Sequence, residues 1–115
     1  MKISIITVCL NSENTIISTL NSVLSQTYKN IEHIIVDGGS TDNTLNIINK
    51  YNHHQKKIIT VKNSGIYDSM NKGIKASSGD IITILNSDDI YQNTQTISQT
   101  VETIKKNSTY PIYLG

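Results

Sequence analysis

Residues 31–51, IEHIIVDGGSTDNTLNIINKY, decide how this chain folds. IEHIIV is apolar nearly throughout instead of alternating, which suits a strand buried on both faces of a sheet. DGGSTDNT then supplies glycine-bearing turn chemistry, and Leu45, Ile48 and Tyr51 follow at helical spacing. The unit is strand, turn, helix. Upstream, Ile3, Ile5, Ile6 and Val8 form a β-rich run before NSENT, and Ile16, Ile17, Leu20, Val23 and Leu24 recur at helical spacing. Downstream, KKIITV leads through KNSG into a helix expected to turn Tyr67, Met70 and Ile74 inward. DIITIL leads through NSDD into a helix carrying Ile97, Val101 and Ile104, and PIYL, from Pro111, is expected to start a fifth strand. Four such alternations predict an α/β fold, doubly wound, with a mostly parallel sheet and helices on both faces.

With 115 residues the chain suits one compact domain. A 37% hydrophobic content and a formal net charge of +1, with both signs scattered, exclude disorder and a strong field for nucleic acid. All 10 basic residues are lysines, so a bound anion must be held by Lys, backbone N–H groups or a metal and not by an arginine fork. Cys9 stands alone, which excludes an internal disulfide and a cysteine zinc cluster and fits a reducing, cytoplasmic setting. Ser4, Thr7 and Asn11 interrupt the N-terminal apolar run before signal-peptide length, and no run approaches the roughly 18 apolar residues of a membrane span. The ending PIYLG, so close to an apolar run, reads as a cut, and apolar surface exposed there is expected to favour a homodimer.

Ligands of open parallel sheets bind at the carboxyl ends of the strands. There the chain places Thr7 to Asn11, Asp37 to Ser40, Lys62 to Gly65 and Asn86 to Asp89, with Gly38 and Gly39 allowing close backbone approach. Neither Gly-x-Gly-x-x-Gly nor Gly-Lys-Ser/Thr occurs, so dinucleotide and P-loop sites are not supported. Asp88 and Asp89 suit Mg²⁺ or Mn²⁺, hard cations that bridge carboxylates to substrate phosphates. Ser87, Asp88 or Asp89 equally suits the N-cap of the following helix, and on residue types alone that is the commoner use.

Other chemistry-bearing residues have plainer readings. His53 and His54 are expected in a solvated loop with diverging rings, and His33 as a strand histidine near a sheet edge. Cys9 reads as a small buried hydrophobe. Asp68 suits a helix N-terminal turn by the macrodipole. Lys105 and Lys106 are too few for a membrane or nucleic-acid patch.

The ordered set ISIITVCLNSENTI, SVLSQTYKNIEHIIVDGGSTDNT, NSGIYDSMNKGI and SSGDIITILNSDD resembles the nucleotide-binding half of family 2 glycosyltransferases, which have the A-type fold. The resemblance runs from Lys2 to about Tyr91 and is similar in form to polysaccharide-assembly members. It implies inverting, metal-dependent transfer from a nucleoside diphosphate sugar to a saccharide or lipid-linked acceptor, in the cytoplasm or at the inner face of the membrane. Carried over by position, Thr7, Cys9, Leu10, Asn11 and Glu13 would lie by the base and ribose, and Asp37, Gly38 and Gly39 by the nucleoside. Ser64, Gly65, Asn71 and Gly73 would border the diphosphate and donor sugar; Asn86, Ser87 and Asp88 would join them, with Asp88 and Asp89 holding Mn²⁺ or Mg²⁺.

The chain departs from the family pattern in three places. Leu10 stands where many members stack an aromatic on the base, Gly38 where many have a second acidic residue, and Met70 where an arginine is common. Uracil therefore remains a preference. The family's general base lies C-terminal to the matched motifs, so the chain is expected to lack the acceptor-binding half and to bind donor and metal while transferring sugar poorly alone. Rival readings are a nucleotidyltransferase, a receiver domain, and a degenerate nucleotide-binding fragment acting as an interaction module. TVCLNSENT lacks the Gly-rich basic loop of the first, and the acidic residues stand in the wrong loops for the second.

Overall fold

The computed structural model describes residues 1–62 and 65–107. The expected fifth strand from Pro111, the PIYLG surface proposed for a dimer, and Ser64 lie outside the described residues. In chain order the elements are β1 (Ile3–Cys9), α1 (Ile16–Leu24), β2 (Ile31–Asp37), α2 (Thr44–Lys50), β3 (Lys56–Thr60), α3 (Gly65–Ala76), β4 (Ile81–Ile84) and α4 (Thr96–Asn107). The four strands form one parallel sheet in the order β3-β2-β1-β4. Register runs Ile3↔Ile31 to Cys9↔Asp37 between β1 and β2, so both strands deliver their last residue to the same rim.

Two apolar layers hold this sheet. On one face Ile3, Ile5, Cys9, Ile31, Ile35 and Ile81 pack against Ile16, Leu20 and Val23 of α1, Ile48 of α2, and Ile97, Val101 and Ile104 of α4. The opposite face carries Ile6, Ile34 and Val36 under α3. Every residue of β2 is buried, as a central strand covered on both faces requires.

Helix α3 sits the other way round from the sequence expectation. Tyr67 is 79% exposed and Ile74 41% exposed, while Ser69 and Gly73 are the buried residues. The reason is close packing: a Cβ on Gly73 would stand 2.7 Å from Ile6 Cγ2 and 3.3 Å from Val36 Cγ2. The small residues at i and i+4 bring the helix down onto the sheet, and the larger apolar side chains are carried outward.

The histidines also depart from expectation. β2 is an interior strand, so His33 is fully buried and not near an edge. Its Nε2 lies 2.8 Å from Thr7 Oγ1 and its Nδ1 2.9 Å from Tyr51 Oη, which satisfies both ring nitrogens. His53 is buried beside Tyr51 and His33, and its ring stacks on His54 at 4.8 Å instead of diverging. Burial, helped by the nearby His53, pushes the pKa of His33 down to about 3. Burial, then His54 and Lys29, takes His53 down to about 4.

At the N-terminal ends of the strands Glu32 ties the β1 and β2 ends to the turn before β4. Its carboxylate accepts from Ser4 Oγ at 2.6 Å and from the N–H and hydroxyl of Ser78, and Lys2 and Lys57 lie at 3.3 Å. Burial pushes this carboxyl up, and the hydrogen bonds from Ser4, Ser78 and Lys57 outweigh it and bring the pKa down to about 2.

Candidate functional site

The chain winds from β1 to β2 to β3 on one side and then returns to place β4 on the other side of β1. The loops after β1 and β4 therefore part, and such a switch point opens a crevice at the carboxyl rim. A cleft of about 380 Å³ lies at this rim, walled by Val8 and Cys9 at the end of β1, Leu10 and Ser12 after it, Gly38 and Gly39 after β2, Gly65, Ile66 and Ser69 of α3, and Ser87 after β4.

The loops after β1 and β2 are stitched together by acceptor side chains. Asn11, at φ 49°, accepts the N–H groups of Thr41 at 2.8 Å and Asp42 at 3.3 Å on its Oδ1. Glu13 accepts the Asn43 N–H at 3.0 Å, and Asp42 accepts those of Thr44 at 2.9 Å and Glu13 at 3.2 Å. Desolvation pushes the Asp42 carboxyl up, but the bonds from Thr44 and the Glu13 N–H more than offset it and hold it below its ordinary value.

Asp37 is fully buried beneath the cleft. Its Oδ2 accepts the N–H groups of Gly39 and Ser40 at 3.0 Å each, and its Oδ1 the Ser40 hydroxyl at 2.5 Å. Gly39 turns at φ 101°, a conformation that glycine adopts without strain, and this aims the amides back at the carboxylate. Burial, then the adjacent Asp37 charge and hydrogen bond, pushes the Cys9 thiol up to about 12, so it is protonated at neutral pH and serves as packing.

After β4 the chain makes a different loop. Leu85 N–H still pairs with Ile6 O at 2.9 Å, and Asn86 to Asp89 close a turn through Asp89 N–H to Asn86 O at 3.0 Å. Asn86, Asp88 and Asp89 are exposed, and neither aspartate makes a side-chain hydrogen bond or ion pair with the described residues. The helix-cap alternative fails here, because α4 begins only at Thr96, where Asn93 accepts from Gln95 N–H and the Thr96 hydroxyl. Ser12 Oγ lies 3.0 Å from Ser87 Oγ and bridges the mouth of the crevice.

The expected site residues divide accordingly. Cys9, Leu10, Gly38, Gly39, Gly65 and Ser87 wall the cleft, and Asn86, Asp88 and Asp89 stand beside it. Asn11 and Glu13 shape the adjoining loops. Thr7 is buried against His33, Gly73 packs on Ile6 and Val36, and Asn71 is exposed outside the cleft wall. Ser12, Ile66 and Ser69 wall the cleft without belonging to the expected set; the spacing of Ser69 to Gly73, two small residues at i and i+4, is the signal that places Ser69 inward.

Comparison with known proteins settles the kinship. The family model "Glycosyl transferase family 2" matches residues 4–113. The chain belongs to this family. It is 43% identical over 100 residues to the Escherichia coli UDP-Glc:alpha-D-GlcNAc-diphosphoundecaprenol beta-1,3-glucosyltransferase WfaP, an alignment covering 84% of the chain and 39% of that protein. It is 36% identical over 107 residues to the poly-beta-1,6-N-acetyl-D-glucosamine synthase of Staphylococcus epidermidis, covering 91% of the chain and 26% of the synthase. The crystal structure of S. aureus TarS 1–349 in complex with UDP-GlcNAc superposes with a TM-score of 0.86 at 32% identity, covering 92% of this chain and 32% of that one. Family 2 membership sets the nucleotidyltransferase and receiver readings aside, and the chain spans well under half the length of these relatives.

Proposed function

We propose that this family 2 domain binds a nucleoside diphosphate sugar, with a UDP-sugar favoured, in the cleft between the β1 and β4 loops, and that Asp88 and Asp89 hold Mn²⁺ or Mg²⁺ against its diphosphate. The observation that carries the proposal is the turn 86–89: it presents two carboxylates without side-chain partners beside the cleft wall at Ser87. Among the described residues no group of three or more His, Cys, Asp or Glu gathers as a closed metal site. Two aspartates fit a hard cation that completes its shell with water and phosphate oxygens. When bound, the cation would supply charge stabilisation for the departing diphosphate. Gly38 and Gly39 wall the cleft with backbone alone, which suits a donor that packs against main chain, and Leu10 offers an apolar wall to a base. The UDP-GlcNAc-bound TarS structure supports a uridine donor.

The transfer is inverting in this reading, with a saccharide or lipid-linked acceptor presented at the cytoplasmic face of the membrane. Among the described residues no helix is long and apolar enough to cross a membrane. Inversion needs a base opposite the leaving group. Among the described residues the rim carboxylates are bonded within loops or assigned to the metal in this reading, which supports a base supplied from outside these residues and poor turnover by them alone.

Calorimetric titration with UDP, GDP and dTDP, with and without Mn²⁺, tests the site. The expected result is UDP binding that Mn²⁺ strengthens, with the affinity in Mn²⁺ weakened about tenfold or more in Asp88→Asn or Asp89→Asn, a change of about 1.4 kcal/mol. A folded protein that binds none of the three overturns the proposal in favour of a degenerate module, and binding unchanged in both variants overturns the assignment of the metal to Asp88 and Asp89.

A further inference from the structure

Helix α1 reaches the metal-turn segment through a row of neutral polar groups. Thr19 is fully buried, and its Oγ1 lies 3.0 Å from Ser87 O and 2.6 Å from Asp89 O. One turn on, Ser22 Oγ accepts the Tyr91 N–H at 3.2 Å. Gln26, 1% exposed just past the helix end, donates from Nε2 to Asn93 O at 2.8 Å and accepts the Ile97 N–H on Oε1 at 3.1 Å. Thr19, Ser22 and Gln26 thus grip the chain from Ser87 to Ile97 along one side of α1.

We infer that Thr19 is the positioning residue for the Asp88–Asp89 turn, with Ser22 and Gln26 holding the rest of the segment in register. This rests on the metal reading above. A buried hydroxyl or amide is costly unless its hydrogen bonds are met. Ser22 Oγ also donates to Thr19 O at 2.8 Å and Gln26 Nε2 to Ser22 O at 3.2 Å, both acceptors within the helix, and the partners outside it all belong to the one segment that carries the exposed carboxylates. The two carbonyls that converge on Thr19 belong to the 87–88 and 89–90 peptides, which bracket the Asp88–Asp89 pair, so both ends of the pair are drawn toward α1 while the two side chains are exposed. The neutrality of the grip matters. A lysine could anchor the same carbonyls, but its charge beside two aspartates would compete with a cation.

The test is titration of Mn²⁺ into the UDP-saturated chain, alongside UDP binding without metal, for wild type, Thr19→Val and Thr19→Ser. Thr19→Val keeps the shape and loses the hydroxyl; it is expected to weaken Mn²⁺ binding about fivefold, the effect of one net hydrogen bond, with metal-free UDP affinity unchanged. Thr19→Ser is expected to stay within about twofold of wild type. Should Thr19→Val not fold, Ser22→Ala takes its place, with an expected loss of about threefold. Unchanged Mn²⁺ affinity in the variant used, or an equal fall in Mn²⁺ and metal-free UDP affinity, overturns the inference and leaves the donor site standing. Wild-type protein without Asp88-dependent Mn²⁺ binding overturns the metal reading and this inference together.

Discussion

Two loops on the same rim carry aspartates, and they use them in opposite ways. In the loop after β2, Asp37 and Asp42 each accept two backbone N–H groups, and Glu13 from the neighbouring loop accepts a fifth. In the loop after β4, Asp88 and Asp89 accept none, and the turn is held by its own backbone bond and by the Thr19 hydroxyl. What separates them is where the amides point. Gly39 at φ 101° curls the first loop so that its N–H groups face Asp37, whereas the second loop is anchored through its carbonyls and leaves its acids to solvent. A carboxylate that already accepts several short bonds is a staple; one that accepts none is available to a cation.

Removing each acid should therefore have unequal consequences for folding. Asp37→Ala leaves two half-buried amides and a half-buried hydroxyl without their acceptor and is expected to cost about 2–4 kcal/mol. Asp88→Ala is expected to stay within about 0.5 kcal/mol, as for an exposed side chain without partners. Urea midpoints of the two variants measure the contrast, and equal losses would erase it.

Acid probes the buried side next. Thr7, His33 and Tyr51 form a hydrogen-bonded chain across the α1 face of the sheet. Because burial lowers His33 from 6.5 to about 3, the unfolded chain takes up the proton first as pH falls. The stability that neutral His33 contributes is complete above about pH 6.5 and declines toward pH 3, by roughly 2 kcal/mol at pH 5. Glu32, lowered from 4.5 to about 2, loses its contribution only below about pH 4.5, so the window from pH 6.5 to 5 reports on the histidines. Urea unfolding of His33→Gln across that window should show a shallower decline than wild type, and an identical slope would assign the loss elsewhere.

How much of this is legible in the sequence depends on the range of the interaction. Strands are legible because β2 must be apolar on both faces, and α4 because Ile97, Val101 and Ile104 face one core. The orientation of α3 is not, since its tight approach is made by Ser69 and Gly73 while Tyr67 and Ile74 supply a stronger but outward apolar pattern. In the sequence His33 reads as a histidine near a sheet edge and His53 as one in a solvated loop, until Thr7 and Tyr51 are brought to them by the sheet and by the chain after α2. At the rim, Gly38, Gly39 and the NSDD turn are readable from local turn chemistry. Thr19, Ser22 and Gln26 are not, because neutral polar residues along a helix read as a solvated face and their partners lie some 70 positions away.

The smallest effect tests whether the two loops act separately. Ser12 belongs to the stitched side, its N–H donating to Thr44 Oγ1 at 2.8 Å, and its hydroxyl meets Ser87 of the open side at 3.0 Å. This is the one side-chain hydrogen bond between the two loops among the described residues. A double-mutant cycle of Ser12→Ala and Ser87→Ala, read by urea unfolding, is expected to give a coupling of about 0.5–1 kcal/mol. In UDP–Mn²⁺ titrations each single change should weaken binding about twofold, and the double change no further, because either one already opens the bridge. Zero coupling with additive binding losses would mean that the stapled loop does not help to place the open one. The position of Asp88 would then depend on α1 alone, and the Thr19 variants would carry the whole effect.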